Sequence, residues 1–132
     1  MDTISVLVVD DSALMRNLIG RIVEQTPGLS LAGKAMNGQF ALDKIPMLKP
    51  DVIVLDIEMP TMNGVEFLKE RKKRGIQIPV IILSSIAKEG AAVTLECLSL
   101  GASDFITKPS GSDSADISKV AQKLAELLLH FG

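Results

Sequence analysis

The hexapeptide "DVIVLD" at residues 51–56 decides the fold. Val52 to Leu55 are apolar without alternation, and Val52, Ile53 and Val54 are β-branched. A strand with one wet face alternates apolar and polar residues. An unbroken apolar run belongs to a strand covered on both faces, as at the centre of a parallel sheet. The run stops on a carboxylate, Asp56. Downstream, Asn63-Gly64-Val65-Glu66 has the spacing of a capping box, which predicts a helix from there to about Arg74, stopped by Gly75.

The same strand-then-helix unit recurs on both sides. "ISVLVV" (4–9) reads as a first strand. The helix after it carries the rows Leu14, Leu18, Ile22 and Met15, Ile19, Val23, read together as one broad apolar stripe, and Pro27-Gly28 stops it. "LSLAGKA" (29–35) alternates and reads as an edge strand. Asn37-Gly38 opens a short helix through Ala41, Leu42, Ile45 and Leu48, which Pro46 should kink or shorten. "IPVIILS" (78–84) reads as a fourth strand, and a helix from about Lys88 to Leu100 follows, with Ala91, Leu95 and Leu98 inward and Gly101 at its end. "DFIT" (104–107) reads as a fifth strand. After a Ser/Gly/Asp stretch at 110–116, a last helix buries Ile117, Val120, Ala121, Leu124, Leu127 and Leu128. Successive βα units imply a parallel sheet with right-handed crossovers and helices on both faces.

Composition narrows the function. The 132 residues suit one domain, and 47% hydrophobic residues suffice for a core. A net charge of −2 gives no polybasic footprint for nucleic acid, and the absence of Trp and Tyr argues against stacking on single strands. One cysteine, Cys97, excludes an internal disulfide and a multi-cysteine metal site. It reads as a small packing residue. No basic-then-apolar segment opens the chain, and no apolar run approaches the roughly 20 residues of a membrane span. A soluble cytoplasmic domain, bound neither to membrane nor to nucleic acid, is expected.

In open α/β sheets, ligands bind beyond the carboxyl ends of the strands. Those ends carry Asp10-Asp11, Asp56 followed by Glu58, Ser84-Ser85, and Lys108-Pro109. Singly, such an Asp is often a turn residue, such a Ser a helix cap and such a Lys a solvated charge. Caps and turns do not require this set at four strand ends on one rim. Clustered carboxylates repel unless neutralised. Mg²⁺, held by one or two carboxylates and several waters, neutralises them. With a lysine and a hydroxyl beside it, the set suits phosphoryl transfer, and an aspartate can itself accept the group.

At this point "VLVVDDS" (6–12), "PDVIVLDIEMPTMNGVEFL" (50–68), "PVIILSS" (79–85) and "GASDFITKPSG" (101–111), in this order, resemble a bacterial response-regulator receiver domain. The wording looks most like the N-terminal receiver of the chemotaxis protein-glutamate methylesterases. The resemblance implies a flavodoxin-like, doubly wound (βα)5 fold with strand order 2-1-3-4-5. It implies Asp56 as phosphoacceptor, Asp10 and Asp11 as the acid pair holding Mg²⁺, and the Glu58 backbone carbonyl as a further ligand. Ser84 matches the switch hydroxyl, Lys108 the lysine that pairs with a phosphoryl oxygen, and Phe105 the switch aromatic, although a Phe on a last strand is core by default. In the family the bond after the lysine is usually cis, which Pro109 permits.

The implied function is a two-component receiver. A chemotaxis-type histidine kinase donates the phosphoryl group to Asp56, and the surface of the fourth helix, fifth strand and fifth helix (about 85–125) responds. Asn63 and the pair Ser85-Ile86 are expected to tune the lifetime of that group. The methylesterase effector would lie in cis, outside residues 1–132, which form one receiver domain, excised or stand-alone. Residues 1–132 contain no G-x-S-x-G elbow, and their one histidine, His130, lies in the last helix, so esterase activity is not expected here. Another output class, such as DNA binding, is an alternative. So is a phosphohydrolase of the haloacid dehalogenase type, but that class wants D-x-D after the first strand. A receiver-like domain that works without phosphorylation usually lacks part of this acid set. A flavodoxin wants a Ser/Thr/Gly-rich first loop, where "DDSALMR" (10–16) offers anions.

Overall fold

Every residue from Val52 to Leu55 is wholly buried, as the unbroken apolar run requires. The structure, a computed structural model, describes residues 3–84, 88–108 and 114–132. The elements are β1 (Ile4–Val9), α1 (Ala13–Gln25), β2 (Leu29–Ala35), α2 (Gly38–Leu48), β3 (Val52–Asp56), α3 (Gly64–Lys73), β4 (Val80–Ser84), α4 (Lys88–Ser99), β5 (Asp104–Thr107) and α5 (Ser114–Phe131). The five strands form one parallel sheet in the order β2-β1-β3-β4-β5. This is the expected doubly wound arrangement, with β3 in the middle.

Strand periodicity sorts the core into two layers. Val6, Val8, Val52, Val54, Ile81 and Leu83 point to one face, against Ile19 and Val23 of α1 and Leu124 and Leu128 of α5. Leu7, Val9, Ile53, Leu55, Val80 and Ile82 point to the other, against Leu42 of α2, Phe67 and Leu68 of α3 and Cys97 of α4. Cys97 is buried there and free, as expected of a packing residue.

Each of the first three helices begins on a side chain that satisfies its loose N–H groups. Ser12 accepts from Met15 N–H (3.2 Å) and Asn37 from Phe40 N–H (3.0 Å). Asn63 and Glu66 form the full capping box. Pro46 neither shortens α2 nor stops it before Leu48. It sits in the last turn, where one lost hydrogen bond costs little, and Lys49 closes the helix in the left-handed region at φ 46°.

Two apolar assignments fail. Leu14 is 81% exposed. At 100° per residue a row spaced by four drifts 40° at each step, so from Ile22 through Leu18 to Leu14 the row leaves the buried face. Leu95 is 67% exposed, because the inner face of α4 is built on Thr94, Cys97 and Leu98. A hydroxyl and a thiol gave no apolar signal, and Leu95 is rotated about 100° from Thr94. Leu98 packs inward as expected, while the side chain of Ala91 lies outside the described residues. Among the described residues, no helix is long and apolar enough to cross a membrane.

Candidate functional site

The carboxyl ends of the strands bring Asp10, Asp11, Asp56, Ser84 and Lys108 to one rim. Asp10 and Lys108 directly follow β1 and β5, and Asp56 and Ser84 are the last residues of β3 and β4. Ser84 is buried, and its carbonyl accepts from the Lys108 backbone N–H at 2.8 Å, which fixes where the lysine leaves the sheet. Ser85, Ile86 and Pro109 lie outside the described residues.

Asp10 is wholly buried and held on three sides. Its N–H donates to the Ala35 carbonyl (3.1 Å), its carbonyl accepts from Arg16 Nη1 (2.7 Å), and its Oδ1 accepts from Ser12 N–H (2.9 Å). The start of α1 thus locks the Asp10 side chain. Among the described residues its second oxygen, Oδ2, has no aligned hydrogen-bond donor; it lies 3.2 Å from Lys108 Nζ, as an ion pair. Lys108 Nζ stands closer to Asp56 Oδ1, at 2.8 Å.

Asp56 is a buried acid among acids. Its carboxyl is pushed up from 3.8 to about 6, first by burial, against the pull of the Lys108 hydrogen bond, and further by the charges of Asp10 and Asp11. The Lys108 ammonium shifts upward too. Burial works against it, but its hydrogen bond to Asp56 and the charges of Asp56 and Asp10 outweigh burial. Among the described residues one amine therefore faces two buried carboxylates and the exposed Asp11, and negative charge is in excess there.

That excess and the open Oδ2 of Asp10 fit a hard cation. One carboxylate oxygen each from Asp10, Asp11 and Asp56 lie within 4.8 Å of one another, and oxygen donors of this kind suit Mg²⁺. Beside them opens a cleft of about 230 Å³ lined by Asp11, Asp56, Ile57, Glu58, Leu83, Val93 and Lys108. It holds several waters or one small anion, at roughly 30 Å³ per water.

Sequence reading missed several supporting residues. Arg16 and Ser12 position Asp10, and only a Ser between two acids and a helix hinted at the second. Gly64 lets α3 close over the site. A Cβ there would stand 2.8 Å from the Asp56 carbonyl oxygen, and Gly64 N–H donates to the Ile57 carbonyl at 2.7 Å. Phe105 is not core: it stands on edge strand β5 and is 37% exposed.

Comparison with known proteins gives a consistent answer. Residues 6–121 match the family model of the response regulator receiver domain. The chain is 67% identical over its whole length to the protein-glutamate methylesterase/protein-glutamine glutaminase of Treponema denticola, of which it covers 36%. It is 62% identical over 98% of its length to the Treponema pallidum protein of that name, of which it covers 32%. The chain thus spans about a third of the length of these curated relatives. Among solved structures it is similar to the response regulator domain of Thermotoga maritima CheB, with TM-score 0.86, 47% identity and 98% and 96% of the two chains covered. A structure of the P1 domain of CheA3 in complex with CheY6 from R. sphaeroides also matches, with TM-score 0.78, 35% identity and 99% and 98% covered. This chain belongs to the response regulator receiver domain family and is of the kind found in the chemotaxis methylesterases.

Proposed function

We propose that the chain is a phosphoacceptor switch. Asp56 attacks the phosphorus of a phosphohistidine, the P–N bond breaks, and the imidazole leaves with the bonding electron pair. The observation that carries this reading is Lys108 Nζ at 2.8 Å from Asp56 Oδ1 and 3.2 Å from Asp10 Oδ2. An amine so placed holds the nucleophile oriented and then meets a phosphoryl oxygen. At pH 7 Asp56, with its carboxyl at about 6, is mostly ionised and able to attack.

Asp10, Asp11 and Asp56, with the Glu58 backbone carbonyl, would hold Mg²⁺, which when bound neutralises charge on the incoming group. The phosphoryl group adds about −1.5 to −2 of charge. Ser84, on the strand beside Asp56, turns toward the new acceptor oxygens. The space it leaves admits Phe105, now half outside, and the α4–β5–α5 surface changes shape. A local charge thereby biases a two-state element. The likeness to CheY6 bound to a P1 domain supports a chemotaxis histidine kinase as donor. The relatives' length supports a methylesterase effector in cis as the responder. In this reading residues 1–132 are the single receiver domain, regulatory rather than esterolytic, and work in the cytoplasm.

The test is labelling with radioactive acetyl phosphate and Mg²⁺. Wild type takes up acid-stable, base-labile label and Asp56→Asn takes none. Undiminished label on the variant would sink the assignment.

A further inference from the structure

Lys44, on α2, reaches the Lys34 carbonyl with its ammonium; Lys34 itself, at the end of β2, lies across Gly20 of α1 and donates to Asn17 Oδ1. Arg16 completes a group of three cations lining one cleft of about 280 Å³, together with Ala35, Met36 and Phe40. All three cations hydrogen-bond to uncharged oxygens, and none is ion-paired with a carboxylate among the described residues. Positive charge is therefore left over locally in a chain whose net charge is −2. The apolar rim is open as well: Met36 is 51% and Phe40 47% exposed.

Unneutralised cations around an apolar floor are complementary to a carboxylate-bearing segment that also presents an apolar side chain. The position in the fold narrows the occupant. Arg16 grips the carbonyl of Asp10, so the cleft adjoins the Asp56 rim. A protein that delivers a phosphoryl group to Asp56 must cover this rim and reaches the cleft at its edge. We propose that the Arg16–Lys34–Lys44 cleft with Met36 and Phe40 is a docking surface for an acidic, partly apolar segment of the protein phosphodonor. The inference rests on the phosphoacceptor reading. It adds a second contact region, at the β2–α2 edge and away from α4–β5–α5, which sets the rate of transfer from a protein donor and leaves the chemistry at Asp56 alone.

Two donors separate docking from chemistry. Acetyl phosphate needs no docking surface; the phosphorylated histidine domain of the chemotaxis kinase from the same organism does. For Lys34→Glu/Lys44→Glu, kcat/KM with the protein donor should fall at least tenfold at low ionic strength, while labelling by acetyl phosphate stays within twofold. Raising salt to about 0.5 M should slow wild type and speed the variant, because screening removes the attraction to the acidic segment in the first and the repulsion from it in the second. Phe40→Ser, which keeps every charge, should lower transfer from the protein donor about threefold or more. Unchanged protein-donor transfer in both variants overturns the proposal, and so does an equal loss with both donors. Should wild type take label from neither donor, the phosphoacceptor reading falls and this inference with it.

Discussion

Lys108 Nζ lies 2.8 Å from Asp56 Oδ1, and still the Asp56 carboxyl is pushed up to about 6. An ammonium at this distance normally holds a carboxyl down. Burial in a layer of apolar strand residues works the other way and wins, helped by Asp10 and Asp11. The ion pair is thus a partial remedy for a site carrying more negative charge than the fold alone neutralises. A protein that stores repulsion at one spot is poised to respond when charge arrives there.

The stored repulsion makes stability depend on pH. Below about pH 4 Asp56 is protonated in both folded and unfolded chains. Between about pH 4 and pH 6 the folded chain keeps a proton that the unfolded chain, with Asp near 3.8, releases. Raising pH across this window therefore lowers stability. Asn cannot ionise, so Asp56→Asn should be more stable than wild type at pH 7 without divalent cations. Each pK unit is about 1.4 kcal/mol. The cleft is open to screening water, so a gain of about 1–2 kcal/mol is expected, shrinking to nothing near pH 4. Urea denaturation of both proteins at pH 4, 5.5 and 7 measures it. A gain independent of pH would refute the charge origin.

Most of the frame was legible because it obeys simple periods. "DVIVLD" reads as a central strand since burial on both faces forces every residue to be apolar, and Asn63–Glu66 reads as a helix start since its two hydrogen bonds are local. Acids and an amine at strand ends meet because parallel strands finish on one side. Leu14 and Leu95 misled because one apolar residue does not say which way a helix is turned. Gly64 and Arg16 were silent for another reason. Their roles are a close approach and a reach between elements, which exist only once the chain has folded.

If the three carboxylates hold Mg²⁺, the ion should stabilise the fold by mass action. At a free concentration ten times the dissociation constant the gain is about 1.4 kcal/mol. Asp11 is exposed, so Asp11→Asn removes a ligand with little disturbance to packing. Thermal unfolding with Mg²⁺ and with chelator should separate clearly for wild type and much less for Asp11→Asn. The chelated proteins should differ little from each other. An equal Mg²⁺ shift in both would place the ion elsewhere.

Gly64 sets how closely α3 approaches the phosphoacceptor strand. Its φ is not in the left-handed region, so conformational freedom is not the reason for glycine here. Space is. An added Cβ would meet the Asp56 carbonyl oxygen at 2.8 Å and the Ile57 Cα at 2.9 Å, both backbone atoms that cannot swing aside. Either α3 shifts outward and the 2.7 Å bond from Gly64 N–H to the Ile57 carbonyl lengthens, or the backbone of Asp56 moves. Both cost overpacking energy of about 1–3 kcal/mol, and both move the carboxylate relative to Lys108. Gly64→Ala should therefore unfold at lower urea and also take label from acetyl phosphate more slowly than its folded fraction explains. Ala in place of Gly75, whose added Cβ would meet no atom of the described residues within 4 Å, is the contrasting case. Its φ of 71° costs stability, but it stands at the far end of α3, so labelling per folded molecule should stay at the wild-type rate. Equal labelling per folded molecule in Gly64→Ala and wild type would show that the close approach serves packing alone.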